Sequence, residues 1–204
     1  MSAMRHPRHD ILSAYAEGAV DVPRRLLVEA HLAMCAECSA RLAEDGDVVD
    51  SLPDAAVRDE LDRPPFLAVW TAIEEAMRQT KTETAVVPPA VLVALPDPSE
   101  WQWHEIVPQR VRSALLVQDD ESGSCLFLTH FRAASSFPRH RHLGLEENVL
   151  LAGGYDSHGL RAEAGDWICG APGSEDMPST DPDEECWCLS RVETPGIEFL
   201  DAES

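Results

Sequence analysis

The sequence predicts two domains of different class, a small helical domain followed by an all-β domain. Three observations predict this. Apolar residues recur at helical spacing up to about residue 79, the stretch "TKTETAVVPPA" then brings Thr, charges and a double Pro, and beyond it the apolar pattern takes a period of two. The expected boundaries are a helical domain over 1–79, a linker over 80–89 and a β domain over 90–204.

The elements follow in order. "HDILSAYAEGA" is a short amphipathic helix that ends near Gly18. Asp21 is placed as an N-cap, with Pro23 in the first turn of the next helix, "RRLLVEAHLAM". A third helix starts near Cys35 and Cys38, runs through "SARLAEDGDVVDSL", and is weakened or ended by Gly46. The fourth, "PFLAVWTAIEEAMRQ", aligns Phe66, Val69, Trp70, Ile73 and Met77 in one stripe. About four short helices make a small core, and a domain of that size gains from a staple such as a metal. In the second half, "WQWHEI", "VRSALLV", "SCLFLTHF", "NVLLAGGY" and "CWCLSRV" read as strands between the turn signals "DDESG", "DSHG" and "EAGD". Many short strands of this kind close into a sandwich or barrel.

Charge narrows the function classes. The formal net charge is −21, so nothing here neutralises phosphates, and direct nucleic-acid binding is excluded as an expectation. Such a surface suits a basic partner. The opening "MSAMRHPRHDIL" has no apolar signal core, and the most apolar run, "AVVPPAVLVALP", is broken by three prolines. A cytoplasmic chain without a membrane segment is expected. Six Cys are too sparse for a disulfide scaffold and are read as metal ligands, redox thiols or buried apolar residues.

Two stretches carry metal chemistry. In "HLAMCAEC", His31, Cys35 and Cys38 are spaced four and three apart, which on one helix brings them to one face. An imidazole and two thiolates form a zinc-type donor set, and a closed tetrahedral site needs one more ligand. His6 and His9 are the nearby candidates. The competing reading leaves His31 in solvent and packs the two Cys inside. In "FPRHRHLGLEENVLLAGGY", His140 and His142 share a face of a strand, and Gly144 lets the chain turn so that Glu146 returns to the same place. Two imidazoles and a carboxylate make a metal-binding face with open positions. Its competitor is a polar strand end. Cys186 and Cys188, two apart in "CWCL", also share a strand face and are candidate redox thiols, although neighbours two apart on a strand are poorly placed for a disulfide.

Several motifs now stand in one order: "LSAYAEG" after an N-terminal His, "HLAMCAEC", "HRHLGLEENVLLAGG", "AGDWI" and "CWCL". In that combination the chain resembles the ChrR-type zinc-binding anti-sigma factors, which join a zinc-binding anti-sigma domain to a C-terminal cupin β-barrel. The resemblance covers nearly the whole chain. It implies zinc held by His6, His31, Cys35 and Cys38, with His9 the competitor for the first place. It implies that the helices clamp a sigma factor of the extracytoplasmic-function type, with the stripe Phe66, Val69, Trp70, Ile73 and Met77 as the matching contact surface.

The resemblance also implies a cupin metal on His140, His142, Glu146 and a distant His. That His is missing from "GAPGSEDMPST", where Asp176 stands in its place beside Glu175. A carboxylate there favours harder ions such as manganese or iron over zinc. The implied function is a stress switch: the sigma factor is held until a signal, expected to be oxidative, is sensed through the cupin domain. The alternative is a cupin dioxygenase or isomerase with an accessory helical domain. His104, His130 and His158 are scattered rather than paired with an acid or base, so no catalytic residue is assigned.

Overall fold

The structure is a computed structural model, and it describes residues 5–46, 101–157 and 159–200. Among these residues three helices come first: α1 (His9–Ala16), α2 (Val22–Met34) and α3 (Ala36–Gly46). α1 ends just ahead of Gly18, whose φ of +68° suits a residue without a side chain. α2 starts as the sequence requires. Asp21 caps it by accepting from the Arg24 backbone N–H at 2.8 Å, and Pro23 sits in its first turn. The fourth expected helix, with Phe66, Val69, Trp70, Ile73 and Met77, lies outside the described residues, as does the linker over 80–89.

The β half holds eleven strands among the described residues: β1 (Trp103–Val107), β2 (Val111–Asp119), β3 (Ser124–Phe131), β4 (His140–His142), β5 (Glu146–Ala152), β6 (Gly154–Ser157), β7 (Leu160–Glu163), β8 (Trp167–Gly170), β9 (Glu175–Asp176), β10 (Cys186–Glu193) and β11 (Ile197–Phe199). A six-stranded antiparallel sheet runs β1-β2-β3-β10-β5-β8, a three-stranded one β11-β4-β9, and β6 pairs with β7.

The period of two in the large sheet separates its faces. On β10, Trp187, Leu189 and Arg191 point one way, and Cys188, Ser190 and Val192 line a cavity on the other. On β3, Leu126 and Leu128 alternate in the same manner with Phe127 and Thr129. The outer face is covered by the helices. Leu12, Leu26, Leu27, Val28 and Ala30 form one continuous core with Leu126, Leu128, Val149, Leu151, Trp187 and Leu189. The helical half therefore builds its core against the sheet rather than within itself alone. Burying apolar area against a rigid sheet stabilises short helices that would be marginal in isolation.

Buried charges fix the same junction. Arg191, 2% exposed, donates from Nε to Asp21 Oδ1 at 3.0 Å and from Nη1 to Glu147 Oε2 at 3.1 Å. Arg24 Nε donates to the same Glu147 oxygen at 2.8 Å. Burial pushes the Asp21 carboxyl up, but the hydrogen bonds and charges of Arg191 and Arg24 outweigh it and hold it below its ordinary value.

Candidate metal centres

The first centre forms where α2 meets α3. The ligand spacing of His31, Cys35 and Cys38 reads as one helix, although the helix boundaries read from the sequence start a third helix near Cys35 and Cys38. The structure breaks the chain at Cys35, which is extended (φ −119°, ψ 97°) and caps α2 while α3 begins at Ala36. His31 thus comes from α2, Cys35 from the junction and Cys38 from the first turn of α3. The break directs both thiols to the side of the helices where the N-terminal segment crosses.

That segment delivers His6. His6, His31, Cys35 and Cys38 each offer one ligand atom, all within 4.8 Å of one another. His6 Nδ1 lies 3.4 Å from both sulfurs, and His31 Nε2 lies 3.4 Å from Cys38 Sγ. Zinc–sulfur bonds of about 2.3 Å and zinc–nitrogen bonds of about 2.0–2.1 Å at a tetrahedral angle would set N and S about 3.5 Å apart. The spacing therefore fits that ion. His9, the competitor in sequence, starts α1 on the surface with its Nδ1 3.2 Å from Ser13 Oγ, and it is not part of the group.

The outer contacts prepare the imidazoles. His31 Nδ1 donates to the Gly165 carbonyl at 2.9 Å, which leaves Nε2 bare toward the thiols. Burial lowers the His31 pKa to about 4, so the ring is neutral, the form that ligates. On the far side of His6, Nε2 lies 3.6 Å from a Glu37 carboxylate oxygen. Burial and the adjacent Cys35 raise the Cys38 thiol to about 12, so the thiolate pair needs a cation beside it. Cys35 Sγ also accepts from the Cys38 backbone N–H at 3.4 Å.

The β half holds this centre in place. Asp166 accepts from the Arg5 backbone N–H at 2.7 Å and from its guanidinium at 3.2 Å, and Trp167 N–H donates to the Arg5 carbonyl at 3.0 Å. These residues belong to the turn that leads into β8. Sequence reading saw "EAGD" as a turn and the overlapping "AGDWI" as part of the resemblance, not as a support for the metal centre. A backbone carbonyl serving a distant imidazole leaves no signature in side-chain chemistry.

The second group lies on the inner side of the β half. His140 and His142 on β4 and Asp176 on β9 bring ligand atoms within 4.8 Å of one another, with His140 and Asp176 directly paired in register. His140 Nδ1 donates to the Pro138 carbonyl at 3.0 Å. His142 Nδ1 donates to Ser174 Oγ at 2.9 Å, because that hydroxyl gives its own proton to the Ala171 carbonyl at 2.6 Å. Both rings therefore expose bare Nε2 atoms, and His142 Nε2 is buried without a hydrogen-bond partner. An orphaned imidazole lone pair beside a second one and a carboxylate fits a divalent cation.

Glu146 stands slightly apart from this trio. Its Oε2 is 3.7 Å from His142 Nε2, and its Oε1 accepts from Asn148 at 2.8 Å. Asp176 Oδ1 accepts from Ser157 Oγ and from the Met177 backbone N–H. Gly170, the last residue of β8, closes the back of the site. A Cβ there would lie 2.5 Å from the His142 ring, so only glycine fits. β8 thus touches the second group at one end, and the turn at its other end touches the first.

The remaining candidates sit elsewhere. Cys186 and Cys188 share a face of β10, as the spacing requires, but both are buried. Burial pushes Cys186 well above the ordinary thiol value and Cys188 to about 12, the reverse of what a reactive thiolate needs. His104 lines the cavity. His130 is buried, stacked on Trp187 at 4.1 Å between ring centroids, with Nε2 3.1 Å from Glu185. His158 lies outside the described residues. No helix of the described residues is long and apolar enough to cross a membrane.

Comparison with known proteins places both centres in context. Residues 93–193 match the family model described as "ChrR Cupin-like domain", and residues 9–39 match the one described as "Putative zinc-finger". The Anti-sigma-E factor ChrR of Cereibacter sphaeroides is 25% identical over 199 residues, covering 96% of this chain and 92% of that protein. The crystal structure of Rhodobacter sphaeroides SigE in complex with the anti-sigma ChrR matches with a TM-score of 0.64 and 25% identity. That match covers 93% of this chain and 98% of the solved one.

Proposed function

We propose that this chain, a ChrR-type protein in which a zinc-finger domain is joined to a cupin-like domain, is an anti-sigma factor that binds and inhibits a sigma factor of the extracytoplasmic-function type. One observation carries the reading. The likeness to a protein solved in complex with SigE runs through 93% of this chain and includes both halves in the same order. The acidic surface supports it. The net charge is −21 over the chain, and residues 1–85 hold 9 basic and 16 acidic residues. A sigma factor's DNA-facing surfaces are basic, so attraction speeds the encounter.

In this reading His6, His31, Cys35 and Cys38 hold zinc, which supplies a structural crosslink between the N-terminal segment, α2 and α3. Gly165 fixes the tautomer of His31, and the Arg5–Asp166 pair anchors the segment that carries His6. The stripe Phe66, Val69, Trp70, Ile73 and Met77, outside the described residues, is the proposed sigma contact. The proposed working compartment is the cytoplasm, where transcription takes place.

We assign the cupin-like half to sensing rather than to catalysis. A second divalent metal, whether zinc, manganese or iron, would be held by His140, His142 and Asp176, with Glu146 at its edge. The donor set of two imidazoles and a carboxylate favours the harder ions. The signal, proposed to be oxidative, acts by making the protein bind its sigma factor less tightly.

The test is capture from host lysate on the tagged full-length chain, with bound proteins identified by mass spectrometry and zinc assayed in the same sample. Recovery of a sigma factor with about one firmly held zinc per chain is expected. A zinc-loaded, folded chain that recovers no sigma factor contradicts the reading.

A further inference from the structure

We propose that the cavity between the two sheets binds an uncharged amphipathic small molecule, with an alkyl or aromatic body and one oxygen that faces His140 and Asp176. This rests on the reading of the cupin-like half as the sensing half, and it names the class of molecule sensed.

The space is the first argument. The cavity measures about 590 Å³, inside the range of about 300–1,000 Å³ usual for small-molecule sites. At about 30 Å³ per water-sized group, it has room for at most about 20 such groups. A ligand of roughly ten to fifteen non-hydrogen atoms fits with ordinary packing.

The walls are the second argument. Phe127 and Phe131 on β3, Ile197 and Phe199 on β11, Tyr155 on β6 and Phe137 ahead of β4 all face the space. Water gains little against such walls, whereas an alkyl or aromatic body is transferred there favourably. Several wall polar groups already pair with one another. Ser113 Oγ is 3.0 Å from Thr129 Oγ1, and Asn148 donates to Glu146 at 2.8 Å. The bare Nε2 of His140, which lines the cavity beside Asp176, is open to a ligand oxygen, directly or through a bound cation.

Charge is the third argument and sets the class. Among the described residues no Lys or Arg lines the cavity, while Glu146, Asp176 and Glu193 do. Glu193 is already paired with Arg24 and Arg191 outside the space. An anionic ligand would face carboxylates with no cationic side chain to meet it, at close range and in low dielectric. A divalent cation in the trio would balance Asp176 and Glu146 and leave no net charge for an anion.

The position is the fourth argument. Glu146 and Ser190 face the cavity, and the next residues along, Glu147 and Arg191, hold the helices on the other face of the same strands. The wall of the ligand site is one strand away from the helix junction. Occupancy can therefore reach the helices through β5 and β10.

The experiment titrates the zinc-loaded full-length protein with 1-octanol and, separately, with octanoate, by calorimetry. Octanol is expected to bind saturably at one site, and octanoate at least tenfold more weakly. From hexanol to octanol the affinity should rise about fourfold per methylene, then level off as the cavity fills. Ser190→Phe, which fills the cavity from β10, should abolish octanol binding. Should that variant not fold, Leu115→Trp at the half-exposed rim serves the same purpose. Octanoate binding as tightly as octanol overturns the proposal. So does the absence of saturable octanol binding, or octanol binding unchanged in a folded cavity-filled variant. Sigma capture is measured on the same preparation without octanol. Capture lost while octanol still binds refutes the anti-sigma reading alone, and octanol binding lost while capture persists refutes the cavity assignment alone.

Discussion

The Gly165 carbonyl, in the turn that leads into β8, accepts a hydrogen bond at 2.9 Å from Nδ1 of His31 on α2. This single bond joins the β half to the imidazole that faces the two thiols of the zinc-type centre. Gly165 has a φ of +92°, so a side chain there strains the turn and displaces the carbonyl. Gly165→Val should weaken zinc binding about 10- to 100-fold, the usual effect of losing such an outer partner. Chelator competition on the full chain measures it, and an unchanged affinity would show that the bond does not matter to the metal.

Removing a ligand should do more. His31→Ala or Cys35→Ser should lose zinc and sigma binding together, because the site ties the N-terminal segment, α2 and α3 to one another. Structural zinc contributes about 10–16 kcal/mol of apparent binding energy in small zinc domains, so the loss should also melt helix in that half. Metal content and far-UV circular dichroism report on this. Sigma inhibition that survives loss of zinc would separate the metal from the binding surface.

At the second group, Asp176→His should tighten metal binding and shift preference toward zinc, since an imidazole replaces a carboxylate. Gly170→Ala should loosen it, because the added Cβ meets the His142 ring at 2.5 Å. Metal titration of both variants, with the first centre already loaded, distinguishes them. Equal affinity in all three proteins would remove this trio as the site.

The helix junction should fail in acid. Asp21 has its pKa held below the ordinary value in the folded chain. Its contribution is therefore present above the unfolded value of about 3.9 and is lost as pH falls through the lower folded value. Asp21→Asn should remove that acid-dependent part of stability and also weaken the cap on α2, by about 1 kcal/mol or less since Asn still caps. Thermal melts from pH 3 to 6 on both proteins check the expected difference.

Cys186 and Cys188 should resist thiol reagents at neutral pH in the native protein. Both are buried with raised pKa values. Labelling followed by mass spectrometry should find them modified only after unfolding. Fast labelling of either in the native state would restore them as redox candidates.

Much of this architecture was legible in the sequence, and the exceptions have physical causes. "SCLFLTHF" matches β3 residue for residue, and the H-x-H spacing put His140 and His142 on one strand face. β7, β8, β9 and β11 were missed because two to four residues carry too little periodicity to register. The start of a third helix near Cys35 and Cys38 was legible, but the extended backbone at Cys35 that aims its thiol was not, because helical spacing on either side of it reads continuously. Arg191 falls within the predicted strand "CWCLSRV", where nothing marks it as buried. Its partner Asp21 is 170 positions away, and no local pattern announces a charge buried by so distant a neighbour. His6 could be placed against His9 only by resemblance in the sequence, whereas the fold brings His6 to the thiols and leaves His9 on α1.

The central claim is that a zinc-built helical face holds a sigma factor away from transcription. The most direct measurement is run-off transcription by RNA polymerase carrying the captured sigma factor, with the full chain added zinc-loaded or zinc-stripped. The account predicts that the loaded chain silences the promoter and the stripped chain does not. Equal inhibition by both, or none by either, would contradict it.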